Sequence, residues 1–488
     1  MLNTIIHSDE ITLWWDKGRG NAQAPLYHVM KDGKKVGETD KTHFTVRGLQ
    51  AETEYTFTVP GVGEARVKTR KEKRKIDVTK APYFAVPNGK TVNTSKIQKA
   101  FDDCTADACV YFPKGVYLSG ALTLHSDMEI YLDEGAILQG TENVADYLPK
   151  RVNRFEGIEQ MCYSSLLTLG KIDRNAGCKD GNLVIRGGGM IRGGGVALCD
   201  NVISAETERL KEYLKNNEEY VQTCENGQTI PGRARPCLVN LQNCQNVVFA
   251  NVTFAYGPAW NVHFVYSKDI VTYDCKFLSK NVWNGDGWDP DSSENCTIFD
   301  CTFDTGDNSI AIKSGKNPEG NLINRPCKDI RIFDCHGGKA LGIGSEMSGG
   351  IENVYIWDCN FTNTEVGLSI KVTKKRGGYL RNIYVNNCSF TNILARSVRC
   401  NDDGESAQCL PSVQNFFFEN VEVSGRFTLD GVQKKSAAIF VAGLDKEKGA
   451  FRNFSFKNLK IYADKKDELQ SIELRNVQNM SFENISFI

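Results

Sequence analysis

Long apolar runs are missing: nowhere in the 488 residues is there the stretch of about 18 consecutive apolar positions that a membrane-spanning helix needs. The opening, MLNTIIHSDEITLWWDKGRG, lacks the basic start and apolar core of a secretory signal, so the expectation is a cytoplasmic protein made without export. An excess of charge is lacking too. Lysine plus arginine number 59 against 60 aspartates plus glutamates, which excludes a global field for nucleic acid or an acidic membrane face. Although there are 17 cysteines, none stand in a Cys-x-x-Cys pair, so no zinc site is expected, and their odd number argues against a complete disulfide framework.

What is there is mostly β pattern. Residues 1–72 alternate in short strands, EITLWWDK, LYHVMKDGKKVGET and HFTVRGLQAETEYTFTV, with a hairpin signal in KDGKK, and read as a small β-sandwich. The stretch GLQAETEYTFTV resembles the close of a fibronectin type III domain. Basic residues follow in KTRKEKRK, and 73–80 read as a solvated linker before a second domain at 81–488.

From about residue 240 a phrase returns: SKDIVTYDCKF, SENCTIFDCTF, CKDIRIFDCHG, IENVYIWDCNF, LRNIYVNNCSF and their kin. One position in it is taken by Val252, Cys275, Cys301, Cys335, Cys359, Cys388, Val421, Leu459 and Ile485, at steps of 23 to 38 residues. A unit this short cannot bury its own apolar face and must stack on copies of itself, which with one strand phrase per turn makes a parallel β-helix. Five of the cysteines share a rung with valine, leucine and isoleucine, so they are packing residues. NTSKIQKAFDDC reads as a cap helix. SAETERLKEYLKNNEEY (204–220) reads as a helical excursion with Ser204 at its N-cap and Glu206 and Glu208 in its first turn.

The stretch WNGDGWDPDSSENCTIFDCTFDTGDNSIAIKSG is rich in aspartate. Asp286 and Asp307 lie 21 residues apart, about one coil, and stacked strands sit about 4.8 Å apart, so both acids can face one groove. Such a pair suits glycosidic bond cleavage, in which one carboxyl protonates the leaving oxygen while the other activates water. Spacing alone leaves open both carboxyl separations used in sugar hydrolysis, about 5 Å and about 6.5–9.5 Å. Asp291, Asp300 and Asp304 read as turn residues.

NGDGWDPDS, TGDNSIAIKSG, GIGSEMSGG and GLSIKVTKKRGG, in this order, resemble glycoside hydrolase family 28, the polygalacturonases, and within it the bacterial exo-acting branch. The resemblance runs from about residue 76 to Ile488. It implies an all-β, right-handed parallel β-helix and inverting hydrolysis of pectin with no metal or cofactor. It makes Asp307 the general acid and Asp286 a water-activating base, with Asn308 beside them and Asp289 among the substrate ligands. Lys371, Lys313 and Arg376 become ligands of substrate carboxylates, and Trp260 and His263 of GPAWNVHF become cleft residues with core packing as the rival reading.

Three departures accompany the resemblance. Asn308 replaces the second aspartate of Gly-Asp-Asp, and an amide cannot accept a proton. Ser369 replaces the arginine of Arg-Ile-Lys. The histidine of Gly-His-Gly falls on Gly338, leaving His336 two places earlier to swing into the groove or sit on a surface turn. The expected function is an exo-acting hydrolase releasing galacturonate from pectic oligosaccharides. A hydrolase of rhamnogalacturonan or other branched pectin and a catalytically impaired pectin-binding homologue stay open.

Overall fold

Pairs of asparagine or aspartate residues at fixed offsets in each repeat turn the chain through its corners. The computed structural model describes residues 1–17, 25–400, 403–429, 431–462 and 472–488, in two compact units, Met1–Arg74 and Lys75–Ile488. In the larger unit the repeats stack as a parallel β-helix. Among the described residues its coils contribute to an eleven-stranded and a twenty-stranded sheet. The longer strands are continuous in register: Glu294–Asp304 pairs with Cys327–Gly337 from Glu294 opposite Lys328 to Phe303 opposite Gly337.

Two corners per repeat carry left-handed backbone. The first holds Asn353, Asn382, Asn415 and Asn453 at φ of 56° to 64°, and the second Asp300, Asp358, Asn387 and Asn420 at 52° to 56°. Asparagine and aspartate tolerate this conformation better than other residues with a Cβ. Their side chains also bond from coil to coil, Asn415 to Asn382 at 3.1 Å and Asn453 to Asn415 at 2.8 Å. Asp300 is thus a corner residue, as expected, whereas Asp291 is not: it is a fully buried strand residue.

The cysteine rung is a packing column. Cys301 faces Cys335, and Cys388 faces Val421, which faces Leu459 in turn. The rung cysteines carry free thiols, and burial pushes the Cys275, Cys301, Cys335 and Cys388 thiols well up, keeping them neutral. Beside them Tyr273, Phe299, Phe333 and Trp357 stack at 5.2, 4.7 and 4.3 Å between ring centres.

Two expectations about segments change. The helical excursion starts at Gly195, in Gly195–Arg209, and continues as Lys211–Asn216, Glu218–Val221 and Thr229–Gly232. Ser204 is therefore inside a helix and caps nothing. Burial of Leu198, Cys199, Val202 and Ile203 extends the helix backwards, and Glu206 is buried against Lys150 and Arg209, at 2.5 and 2.7 Å. The stretch 73–80 is not a free linker either: Arg74–Asp77 is a strand beside Ala108–Phe112 in the twenty-stranded sheet.

The smaller unit has a three-stranded antiparallel sheet (Asn3–Ile6, Glu10–Trp14, His43–Arg47) and a four-stranded one (Lys34–Thr39, Tyr27–Lys31, Glu54–Val59, Gly63–Lys68). Ile11 and Leu13 of the first share a core with Val29, Phe57 and Val59 of the second. Asp32 and Gly33, at φ of 50° and 75°, close the hairpin that KDGKK foretold.

The corner ladder is testable. Asn415→Ala loses both the tolerance of φ 64° and the ladder bonds, at a cost of about 2 kcal/mol. Asn415→Gly loses only the bonds, so thermal denaturation should rank the parent above the glycine variant and that above the alanine variant.

Candidate active site

The eleven-stranded sheet carries the acids. Its strand Trp288–Asp291 buries Trp288 in the core and turns Asp289 and Asp291 to the other face, opposite His263 and Val265 of Val262–Val265. Asp286 lies on the approach to this strand. Asp307 and Asn308 stand before Ile310–Ile312, one coil later, and Lys313 follows it with a bridge to Asp291. One coil of sequence separation thus becomes adjacency in space.

Asn308 joins the two acids. Its Nδ2 donates to Asp286 Oδ2 at 3.4 Å and to Asp307 Oδ1 at 3.1 Å, and its backbone N–H donates to Asp307 Oδ1 at 2.8 Å. The two carboxylate oxygens are therefore no further apart than the first two distances laid end to end. Lys371 Nζ donates to Asn308 Oδ1 at 3.4 Å. Gly342 makes the room, because a Cβ there would lie 2.9 Å from that same oxygen.

Exposure divides the pair. Asp286 is 2% exposed and Asp307 is half-buried. Burial raises the Asp286 pKa to about 6 and the nearby Asp307 adds to this, against the pull of Lys313, Lys371 and the Asn308 bond. Both bonds to the Asp307 carboxylate reach Oδ1, which leaves Oδ2 as the atom to carry a proton.

Beneath them is a desolvated cluster. Lys313 Nζ lies 3.5 Å from Asp286, 3.5 Å from Asp289 and 3.9 Å from Glu346, and 4.3 Å from the centre of the Trp260 ring. Burial would lower the lysine's pKa, but these carboxylates raise it well above its usual value, so Lys313 stays charged. Asp289 is fully buried, and its pKa goes well up through burial, which Lys313 only partly offsets. Among the described residues, no hydrogen bond reaches either Asp289 oxygen, Asp286 Oδ1 or Glu346 Oε2. Buried acceptors without donors are costly.

One end of this face is covered by an antiparallel hairpin, Arg151–Phe155 with Ile158–Cys162. Arg154 Nη1 bonds Asp291 at 2.8 Å and Ser292 Oγ at 2.8 Å. Phe155 stacks on Trp260 at 4.5 Å, and Glu156 pairs with Arg233 at 2.7 Å. Burial pushes Asp291 up, but Arg154 and His263 outweigh it and leave the carboxyl at about 2. His263 Nδ1 accepts from Asn240 Nδ2 at 2.9 Å, its Nε2 faces Asp291 at 3.6 Å, and burial lowers its pKa.

The structure thus brings together Asp286, Asp289, Asp307, Asn308, Lys313, Lys371 and Trp260. It places His263 in the layer behind, without exposure. Two site expectations are corrected. Arg376 is 0% exposed and spends its guanidinium on Ser345 O, Asn317 Oδ1 and Cys400 O at 2.7 to 2.9 Å, so it braces loops rather than meeting a substrate. His336 stands in the twenty-stranded sheet, opposite Thr302 and Asn360, and its Nε2 is 2.8 Å from Asp334. Nor is there room for a histidine at Gly338, where a Cβ would lie 2.1 Å from Ser309 Oγ.

Sequence reasoning passed over Glu346, although GIGSEMSGG contains it, and the hairpin. Glu156 and Gly157, at φ of 48° and 78°, form its turn, a weaker signal than Asn-Gly or Asp-Gly.

The profile of Glycosyl hydrolases family 28 matches residues 181–481. An exo-poly-alpha-D-galacturonosidase of Dickeya chrysanthemi is 28% identical over 425 residues, 75% of this chain and 70% of that protein. A probable polygalacturonase of Vitis vinifera is 28% identical over 59% of this chain and 55% of its own length. Among solved structures, a family 28 exopolygalacturonase of Yersinia enterocolitica superposes with TM-score 0.78 at 22% identity, over 99% of this chain and 98% of that one. A hyperthermoactive exopolygalacturonase of Thermotoga maritima gives 0.68 at 24%, over 85% and 91%. At these identities the structural likeness speaks for the fold.

Burial of Asp286 has a consequence for stability. Its folded pKa of about 6 exceeds the usual 3.8, so the stability tied to its protonated form is full below the unfolded value and is lost as pH rises through the folded one. Asp286→Asn should therefore raise the melting temperature relative to the parent more at pH 7 than at pH 4. An equal effect at both would show that Asp286 titrates normally.

Proposed function

The chain belongs to glycosyl hydrolases family 28, and from that premise we propose that it is an exo-acting hydrolase releasing galacturonate from pectic oligosaccharides with inversion. The observation that carries this reading is a pair of acids one coil apart on a face closed at one end by the hairpin Arg151–Phe155 and Ile158–Cys162. On this reading the hairpin, seated on Asp291 and Trp260, is the stop for a terminal sugar. Exo action follows from closure, as it does not from the acids alone.

In the proposed reaction Asp307 Oδ2 gives a proton to the glycosidic oxygen as the bond to the anomeric carbon breaks. A water adds to that carbon from the opposite side and passes a proton to Asp286. Asn308 cannot take a proton, but its Nδ2 bonds to both carboxylates hold them in place. Lys371 supplies positive charge for a uronate, and the buried Lys313, with Asp289 and Glu346 around it, adds to that field from behind. The free thiols of the cysteine rung support action in a reducing compartment, the cytoplasm, on imported fragments. The three-plus-four strand arrangement, with Tyr55 accepting at its hydroxyl from Gln50 N–H at 3.0 Å, supports a fibronectin type III-like assignment for the smaller unit.

Ser369 and the occluded Gly338 favour a second reading, a hydrolase of rhamnogalacturonan. Incubation with oligogalacturonides and with rhamnogalacturonan fragments separates them. Monomer released stepwise from oligogalacturonides upholds the first reading, and products from rhamnogalacturonan alone uphold the second. Binding without turnover by both the parent and Asn308→Asp would leave a pectin-binding protein.

For the active enzyme, Asp307→Asn and Asp286→Asn should each lower kcat by about 10²–10⁴-fold. Because the base must be ionised, kcat/KM of the parent should rise with pH through about 6, the Asp286 pKa. A profile flat across that region would remove Asp286 as the base.

A further inference from the structure

One cation on the groove face has no partner among the described residues. In the eleven-stranded sheet, Leu341, Ile343, Leu368, Ile370, Ile393 and Ala395 point into the core, so the residues between them face outward. Register stacks the outward residues in two columns. One passes through Ser369, Leu394 and Phe440; the other sets Lys371 opposite Arg396 of the next coil. Lys371 touches Asn308, which touches both acids, so it lies beside the first sugar beyond the scissile bond. Arg396 lies one coil further from the closed end, about 4.8 Å on.

Arg396 is half-buried, and no hydrogen bond or ion pair engages it among the described residues. Three other cations of this unit are committed. Lys313 holds three carboxylates, Arg376 is saturated by loop oxygens, and Arg475 pairs with Glu473. Holding a guanidinium partly out of water without an anion is unfavourable, and its planar fork matches a carboxylate. In the neighbouring column, Phe440 stands half-buried over the buried Leu394 and offers an apolar surface. A uronate ring presents the matching pair of features, a C–H face and a carboxylate.

We propose that Arg396 binds the carboxylate of the second sugar beyond the scissile bond, so that the enzyme selects oligogalacturonides of three or more residues. This rests on the function proposed above. The strand bearing Ser369, Leu368–Val372, has Lys371 as its outward cation, and Arg396 supplies a guanidinium one coil later.

Steady-state kinetics on di- and trigalacturonate test it, with the parent, Arg396→Gln and Arg396→Lys. The glutamine variant should raise the KM for the trimer about tenfold relative to that for the dimer, as expected for one charge-assisted contact, and lysine should recover part of the loss. Equal changes for both substrates, or none, would overturn the proposal. Should the parent cleave neither substrate, the proposed function falls, and calorimetry of trigalacturonate binding then judges Arg396. About tenfold weaker binding by Arg396→Gln than by the parent upholds its role; equal binding, or none by the parent, overturns it.

Discussion

Parallel stacking of coils in fixed register is the constraint on which the site depends. It converts a separation of 21 residues between Asp286 and Asp307 into neighbourhood, and it sets Lys313 against Asp291 and Lys371 against Arg396 without any local motif that joins them. The register is maintained at the corners, where left-handed asparagines bond to their equivalents above and below. A slip of one residue would turn Trp288 outward and Asp289 into the core.

Given that scaffold, the chemistry is a matter of desolvation and compensation. Three carboxylates surround one buried ammonium group, so the cluster cannot be fully ionised at low cost. Asp286 is the member left titrating at about 6, while Asp289 is pushed higher. Asn308 is intelligible in this setting. An aspartate there would bring another negative charge within reach of Asp286 and Asp307, whereas the amide donates to both. The hairpin adds direction to the site by tying Arg154, Phe155 and Glu156 to three separate partners.

Much of this was readable in the residues because repetition is a strong signal. The recurring phrase shows its core rung, its corners and its strand length at once, and the β-helix follows from it. Asp286, Asp307 and Lys313 were readable through their motifs. Arg376 misled because a motif records sequence neighbours, and the side chain turned inward to saturate loop oxygens that lie far off in the sequence. His336 was readable only as an ambiguity, which Ser309 and Asp334 resolve. The early start of the Gly195–Arg209 helix depended on tertiary burial of Leu198 and Val202, which no cap signal announces. Arg396 carries no motif at all; only its register with Lys371 marks it.

The most direct test is a crystal structure of the Asp307→Asn variant with trigalacturonate. The account predicts the terminal sugar on the hairpin side of the acids, its linkage to the next sugar between Asp286 and position 307, and the remaining chain leading past Lys371. A trimer lying across the hairpin, or bound with no linkage between the two positions, would contradict it.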